Sequence, residues 1–161
     1  MARKPKKHTC KACDRLWGQI IRLSETCAVC GARVGDGRCH QVHAHHLIDR
    51  RAMFYRHNLE NGICLCPTCH QFNFGQIVDG KRQISAHMTP AFFHEWLQEN
   101  RPEQFEWFEK NRYHVLPGLK INYDEVYSAL EDELRRRMRR KAISRLEILV
   151  AVTAAMLSVV L

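Results

Sequence analysis

Residues 41–50 read QVHAHHLIDR. Loose alternation that ends in apolar and β-branched side chains predicts a strand over about 41–48. Successive side chains on a strand leave on opposite faces. His45 and His46 are therefore expected to point apart and cannot easily bind one ion together. One faces the element that follows the second strand, and the other faces an open groove.

Cysteine pairs flank this stretch. CAVC occupies residues 27–30, and CPTCH occupies residues 66–70. Six of the eight cysteines fall into Cys-x-x-Cys pairs, at 10/13, 27/30 and 66/69. The opening residues MARKPKKHTCKAC are basic and lack the apolar core of a secretory signal, which predicts a cytoplasmic protein rather than a disulfide framework. In that setting such pairs read as zinc ligands, because two thiolates on one tight turn reach the same tetrahedral ion. Cys27, Cys30, Cys66 and Cys69 are the expected four-thiolate structural zinc site. A separate ion at each pair, or one spare pair, are the competing arrangements. A redox pair would need a thioredoxin-like strand-to-helix setting that the sequence does not show.

Outward from this centre, residues 62–66 (GICLC) predict a second short strand, and Cys64 within it reads as a small core residue. Residues 67–75 predict the start of a helix, with Pro67 in its first turn. Residues 49–61 read as a loop, and residues 76–84 as a hairpin or loop around Asp79-Gly80. Upstream, residues 14–24 place Leu16, Trp17, Ile20, Ile21 and Leu23 at near-helical spacing, which predicts a short amphipathic helix. Residues 1–9 read as a basic arm without fixed structure. Downstream, Thr89 and Pro90 predict a helix start, with Thr89 as N-cap. Residues 102–111 predict another short helix. A longer one is expected over about 123–141, with Val126, Tyr127, Leu130, Leu134 and Met138 on one stripe.

The chain has 161 residues, 25 of them Lys or Arg against 17 Asp or Glu, a net charge of +8. That length suits one domain with a modest core. That charge favours a polyanionic partner, nucleic acid first and an anionic membrane surface second. A soluble basic protein without such a partner is the plain alternative.

CAVCG (27–31), AHHLIDRR (44–51) and NGICLCPTCH (61–70) together resemble the HNH endonucleases, whose core is a zinc-stabilised ββα-metal fold. The resemblance covers roughly residues 27–75. It implies an α+β protein with a ββα-metal core stapled by the four-cysteine zinc site and followed by a helical extension. It implies metal-dependent hydrolysis of DNA phosphodiesters, with His45 as a metal ligand, His46 as the general base and His70 as a second ligand. Asn61 falls on the middle position, where it either binds the metal or ties the loop that holds the base; Asn58 is the weaker candidate. The implied catalytic ion is Mg²⁺, Mn²⁺ or another divalent transition metal, alongside structural Zn²⁺.

One position departs from the pattern. Many members carry a further His one turn after the last one, and Phe74 stands there. His87 is expected to replace it, since SAHMTPAFFHEWL (85–97) is similar to the H-x-x-P-x-x-F-x-x-W stretch of phage-type members. FNFGQIVDGKRQ (72–83) is then an inserted hairpin. The other reading of His87 is a histidine near a helix start with no metal role. His43 and His40 are expected to meet DNA or solvent.

Arg50, Arg51 and Arg56 lie in the loop between the strands and are expected to hold nucleic-acid phosphates rather than read bases; solvated loop charge is the alternative. KPKK (4–7) and RRRMRRK (135–141) would add sequence-independent affinity, although a solvated helix face accounts for the second run nearly as well. Cys10 and Cys13 are left over and are expected either to complete a second zinc site with His8, Cys39 or His40 or to be a partly used pair. Residues 148–161 are uncharged and mostly apolar. That is shorter than the ~20 residues of a spanning helix, so burial on the domain or in a dimer contact is expected ahead of membrane contact.

The expected organisation is a basic arm and helix (1–26), a nuclease core (27–88), a helical extension (89–142) and an apolar tail (143–161). Nicking is the expected mode, because one such site attacks one strand at a time, and phage DNA processing in the host cytoplasm is the expected setting. The rivals are a non-catalytic zinc-bound nucleic-acid-binding module and a membrane-tethered interaction protein built on the tail.

Overall fold

The computed structural model describes residues 7–113 and 118–160, with the backbone alone for residue 145 and residues 148–160. Most of the KPKK arm, and the side chains of the apolar tail from residue 148, lie outside that description. The fold is mixed α+β with small sheets.

Helix α1 spans Cys10–Arg22 and starts four residues before the expected position. Thr9 is the reason. Its hydroxyl accepts from the Ala12 N–H at 3.2 Å, beside the Thr9 carbonyl that shares this donor at 2.9 Å, and so caps the first turn. Cys10 and Cys13 are therefore helical. Trp17, Ile20 and Ile21 form the buried face of α1.

Strands β1 (His43–His46) and β2 (Gly62–Leu65) pair antiparallel, with His43 opposite Leu65 and His46 opposite Gly62. α1 packs across both strands. At Gly62 the approach is so close that an added Cβ would lie 2.3 Å from Ile21 Cδ1 and 2.8 Å from Trp17 Cζ2. Burial of the Trp17 ring is matched by a hydrogen bond from its Nε1–H to the Asn58 carbonyl at 2.9 Å.

The helix expected after Pro67 is a five-residue π-helical turn, Thr68–Phe72. It closes with the Asn73 N–H donating to the Thr68 carbonyl at 3.1 Å. A continuing α-helix would give the Cys69 and His70 carbonyls to residues 73 and 74. Instead they accept from the Ala86 N–H (2.9 Å) and the His87 N–H (3.2 Å), supplied by a chain that has left and returned. The excursion is a hairpin, β3 (Ile77–Val78) and β4 (Lys81–Arg82). Asp79 and Gly80 both have positive φ, 49° and 74°, as a two-residue type I′ turn requires.

Helices α2 (Pro90–Asn100) and α3 (Pro102–Asn111) follow and pack on each other. Thr89 occupies the N-cap position of α2, but its hydroxyl does not cap that helix. It accepts from the Ser85 N–H and donates to the Ser85 carbonyl, fixing the returning segment.

Helix α4 spans Tyr123–Val160 as one element and runs through position 143 without a break. Its early part packs against α1, with Leu130 buried and Val126, Tyr127 and Leu134 partly so. Met138, expected on the same stripe, is 56% exposed. Lys141 makes a late contact with the domain, donating to the Leu23 carbonyl and pairing with Glu25. Ile143 and Leu146 beyond it are exposed, and the side chains of the apolar stretch from residue 148, expected to be buried on the domain or in a dimer contact, lie outside the described residues. Among the described residues no helix is long and apolar enough to cross a membrane.

Candidate metal centre

Two clusters of metal-ligating side chains flank the β1–β2 pair. The first is Cys27, Cys30, Cys66 and Cys69, whose sulfurs all lie within 4.8 Å of one another. Cys30 Sγ and Cys66 Sγ are 3.7 Å apart. Two thiolates on one tetrahedral zinc, with bonds of about 2.3 Å, stand about 3.8 Å apart. The knuckle hangs on β2 through the Ala28 N–H, which donates to the Cys64 carbonyl at 2.9 Å. Hydrogen bonds from Cys30, Cys66 and Cys69 hold the Cys27 thiol far below its ordinary range. Cys69 is pushed far above, by Cys27 first and then Cys30 and Cys66. Four thiols this close cannot all ionise unless a cation neutralises them, and the donor set fits zinc.

The second cluster is His45, His70 and His87, with one nitrogen from each within 4.8 Å of the others. His70 Nε2 and His87 Nε2 are 3.2 Å apart, near the roughly 3.3 Å expected for two imidazoles on one tetrahedral ion. Each ring arrives by a different route. His45 comes from β1, His70 from the π-helical turn, and His87 from the returning segment bonded to the His70 carbonyl. Phe74 is 68% exposed, and the third imidazole of the cluster comes from His87. Phe93 of α2 sets its edge against the His45 ring at 5.7 Å.

Burial first, then the neighbouring rings, holds His45 down to about 3 and His70 down to about 4. Both imidazoles are therefore neutral at neutral pH, the form that binds a metal. His43 was expected to meet DNA or solvent. Its Nδ1 lies 3.1 Å from His70 Nδ1, on the side away from His87.

His46 leaves the opposite face of β1. Its ring stacks on Trp17, with centroids 3.8 Å apart and planes 12° from parallel. Its Nε2 is 3.0 Å from the Arg56 carbonyl. A carbonyl only accepts, so Nε2 carries the proton and Nδ1 keeps its lone pair. Burial pushes the His46 pKa down against the opposing pull of that carbonyl.

Asn61 is fully buried, and its amide ties the loop. Its Oδ1 accepts from the Ile48 N–H at 2.6 Å, and its Nδ2 donates to the carbonyls of Ile48 and Tyr55, both at 3.0 Å. Of the two roles the sequence left open, this geometry matches the loop tie. Asn58 Oδ1 accepts from the Glu60 N–H on the surface.

The three loop arginines differ. Arg56 grips Asp14 of α1 with two bonds of 2.7 Å and is largely buried. Arg51 is exposed and pairs with Asp49, and Arg50 is exposed. In the 135–141 run, Arg135 pairs with Glu131 and Asp132, and Arg136 and Arg137 share Glu133.

The sequence did not indicate Trp17, Phe93, His43 or the Arg56 carbonyl as parts of the site. Trp17 was visible only as a core position, and a backbone carbonyl leaves no residue-type signal. No family model, no curated protein and no solved structure gives a significant match to the chain.

Proposed function

We propose that the chain is a metal-dependent DNA endonuclease of the HNH type, with a ββα-metal core formed by β1, β2 and the π-helical turn. One observation carries this reading. Two adjacent histidines point apart, one into a three-imidazole cluster and the other onto a carbonyl that fixes its tautomer.

His45, His70 and His87 would hold the catalytic ion. A divalent cation there supplies Lewis-acid stabilisation of the scissile phosphate and its leaving oxygen. Three neutral nitrogens suit a transition metal such as Mn²⁺ better than Mg²⁺, which prefers oxygen. His46 Nδ1 accepts the proton of the attacking water. Trp17 and the Arg56 carbonyl keep the ring from rotating away. Asn61 supports that carbonyl indirectly, since it bonds Ile48 at the start of the loop and Tyr55 next to Arg56.

The net charge of +8 supports a polyanionic substrate. Arg50 and Arg51, both exposed, are the loop groups that would meet phosphates. Arg56 serves instead to hold the loop on α1. Nicking of one strand, and phage DNA processing in the host cytoplasm, complete the reading.

The test is conversion of supercoiled plasmid to open circles by the purified full chain, with Mn²⁺, with Mg²⁺ and with EDTA. Nicking with Mn²⁺, weaker with Mg²⁺ and absent in EDTA, is expected. Salt-dependent DNA binding without cutting under any metal would replace this reading with that of a non-catalytic zinc-bound nucleic-acid module.

A further inference from the structure

The N-terminal cysteine pair is the motif that the site above does not absorb. Its expected partners lie elsewhere. His8 stacks on Tyr127 and bonds Asp124. Cys39 donates its thiol to the Gln41 carbonyl at 2.8 Å, and His40 is exposed. Cys13 is fully buried, with its sulfur 3.5 Å from the Tyr123 carbonyl.

Cys10 has different company. Cys10 and Asp14 are one turn apart on α1, so they share a face. His57 reaches that face from the 49–61 loop. One ligand atom from each of the three lies within 4.8 Å of the others. His57 Nε2 is 2.9 Å from Asp14 Oδ1, and the His57 side chain is only 6% exposed. A thiolate, a carboxylate and an imidazole are the three ligand types zinc takes, and on one tetrahedral ion the oxygen and nitrogen stand about 3.3 Å apart.

The Arg56 fork on Asp14 does not block this. An ionised carboxylate has about four lone-pair sites, of which the fork uses two. The grip orients the carboxylate, as outer partners commonly do for metal ligands. Tyr123, at the start of α4, closes the region with its ring 6.2 Å from that of His57.

We propose that Cys10, Asp14 and His57 form a further zinc site, separate from the four-cysteine and three-histidine clusters. The ion pins α1 to the loop between β1 and β2, next to the residue whose carbonyl holds His46. The site stands independently of the nuclease reading.

Zinc per chain, counted by native mass spectrometry on full-length protein purified without chelator, tests it. Cys10→Ser and His57→Gln are each expected to carry one zinc fewer than the wild type. An unchanged count in both overturns the proposal. A second readout needs only the wild type, in case the variants fold poorly. Cys10 is expected to resist alkylation by iodoacetamide until a chelator is added, as read by peptide mapping. Equal labelling of Cys10 before and after chelation also overturns it.

Discussion

The two clusters beside the β1–β2 pair differ in how completely they close. The four-cysteine cluster has four protein donors, three of them on buried residues. The histidine cluster has three donors, and His87 is exposed. Closed tetrahedral sites hold a fold together, whereas sites with three protein ligands keep a position for water or substrate. On the proposed reading, the cysteines carry architecture and the histidines carry chemistry.

The largest expected effect separates the two. Cys66→Ser removes a ligand from the closed site, and structural zinc in small domains contributes about 10–16 kcal/mol of apparent binding energy. Loss of the cooperative thermal transition is expected, whereas His87→Ala keeps it. Equal melting of both variants by circular dichroism would erase the contrast.

Next comes the scaffold between the clusters. Asn61→Ala strands an N–H and two carbonyls in a buried loop, at an expected cost of roughly 2–4 kcal/mol. Urea unfolding would show this as a lowered midpoint at unchanged slope. Gly62→Ala sets a methyl against Ile21 and Trp17 and is expected to cost about 1–3 kcal/mol by overpacking.

Acid should strike the histidine cluster first. His45 and His70 are held at about 3 and about 4, below the ordinary 6.5. Between those values the unfolded chain takes up protons that the fold refuses. The contribution of these rings to stability is therefore complete above about 6.5. It falls away as the pH drops from there toward 4. A bound metal sharpens the same trend, because protons compete for the nitrogens. Unfolding midpoints that stay level between pH 7.5 and 5 would contradict the sign.

The smallest effect belongs to Phe74→His. The side chain at 74 is exposed, and the turn that would aim it at His70 has already ended. A stability change within about 0.5 kcal/mol is expected, with no rescue of Mn²⁺ binding in a His87→Ala background. Calorimetric titration with Mn²⁺ would reveal a rescue if one occurs.

Much of this contrast was legible in the chain. Cys-x-x-Cys spacing marks the closed site, and the two-residue period of a strand separates His45 from His46. The truncated helix was not legible. It depends on which backbone donors reach the Cys69 and His70 carbonyls, and those arrive from residues 86 and 87 after a hairpin. The apolar spacing of Leu16 to Leu23 places the start of α1 at residue 14 and misses the cap at Thr9, which begins the helix four residues earlier. The meeting of Asp14 with Arg56 and His57 joins residues more than forty positions apart, and no local period encodes it.

The division of labour between neighbouring histidines is the central claim. Its most direct test is the nicking rate of His46→Ala at saturating Mn²⁺, with zinc content matched to the wild type and Mn²⁺ affinity measured on the same sample. A loss of about 10²–10⁴-fold, the usual contribution of a general base, with Mn²⁺ binding unchanged is the predicted result. Wild-type nicking by His46→Ala, or loss of Mn²⁺ binding together with cutting, would contradict it.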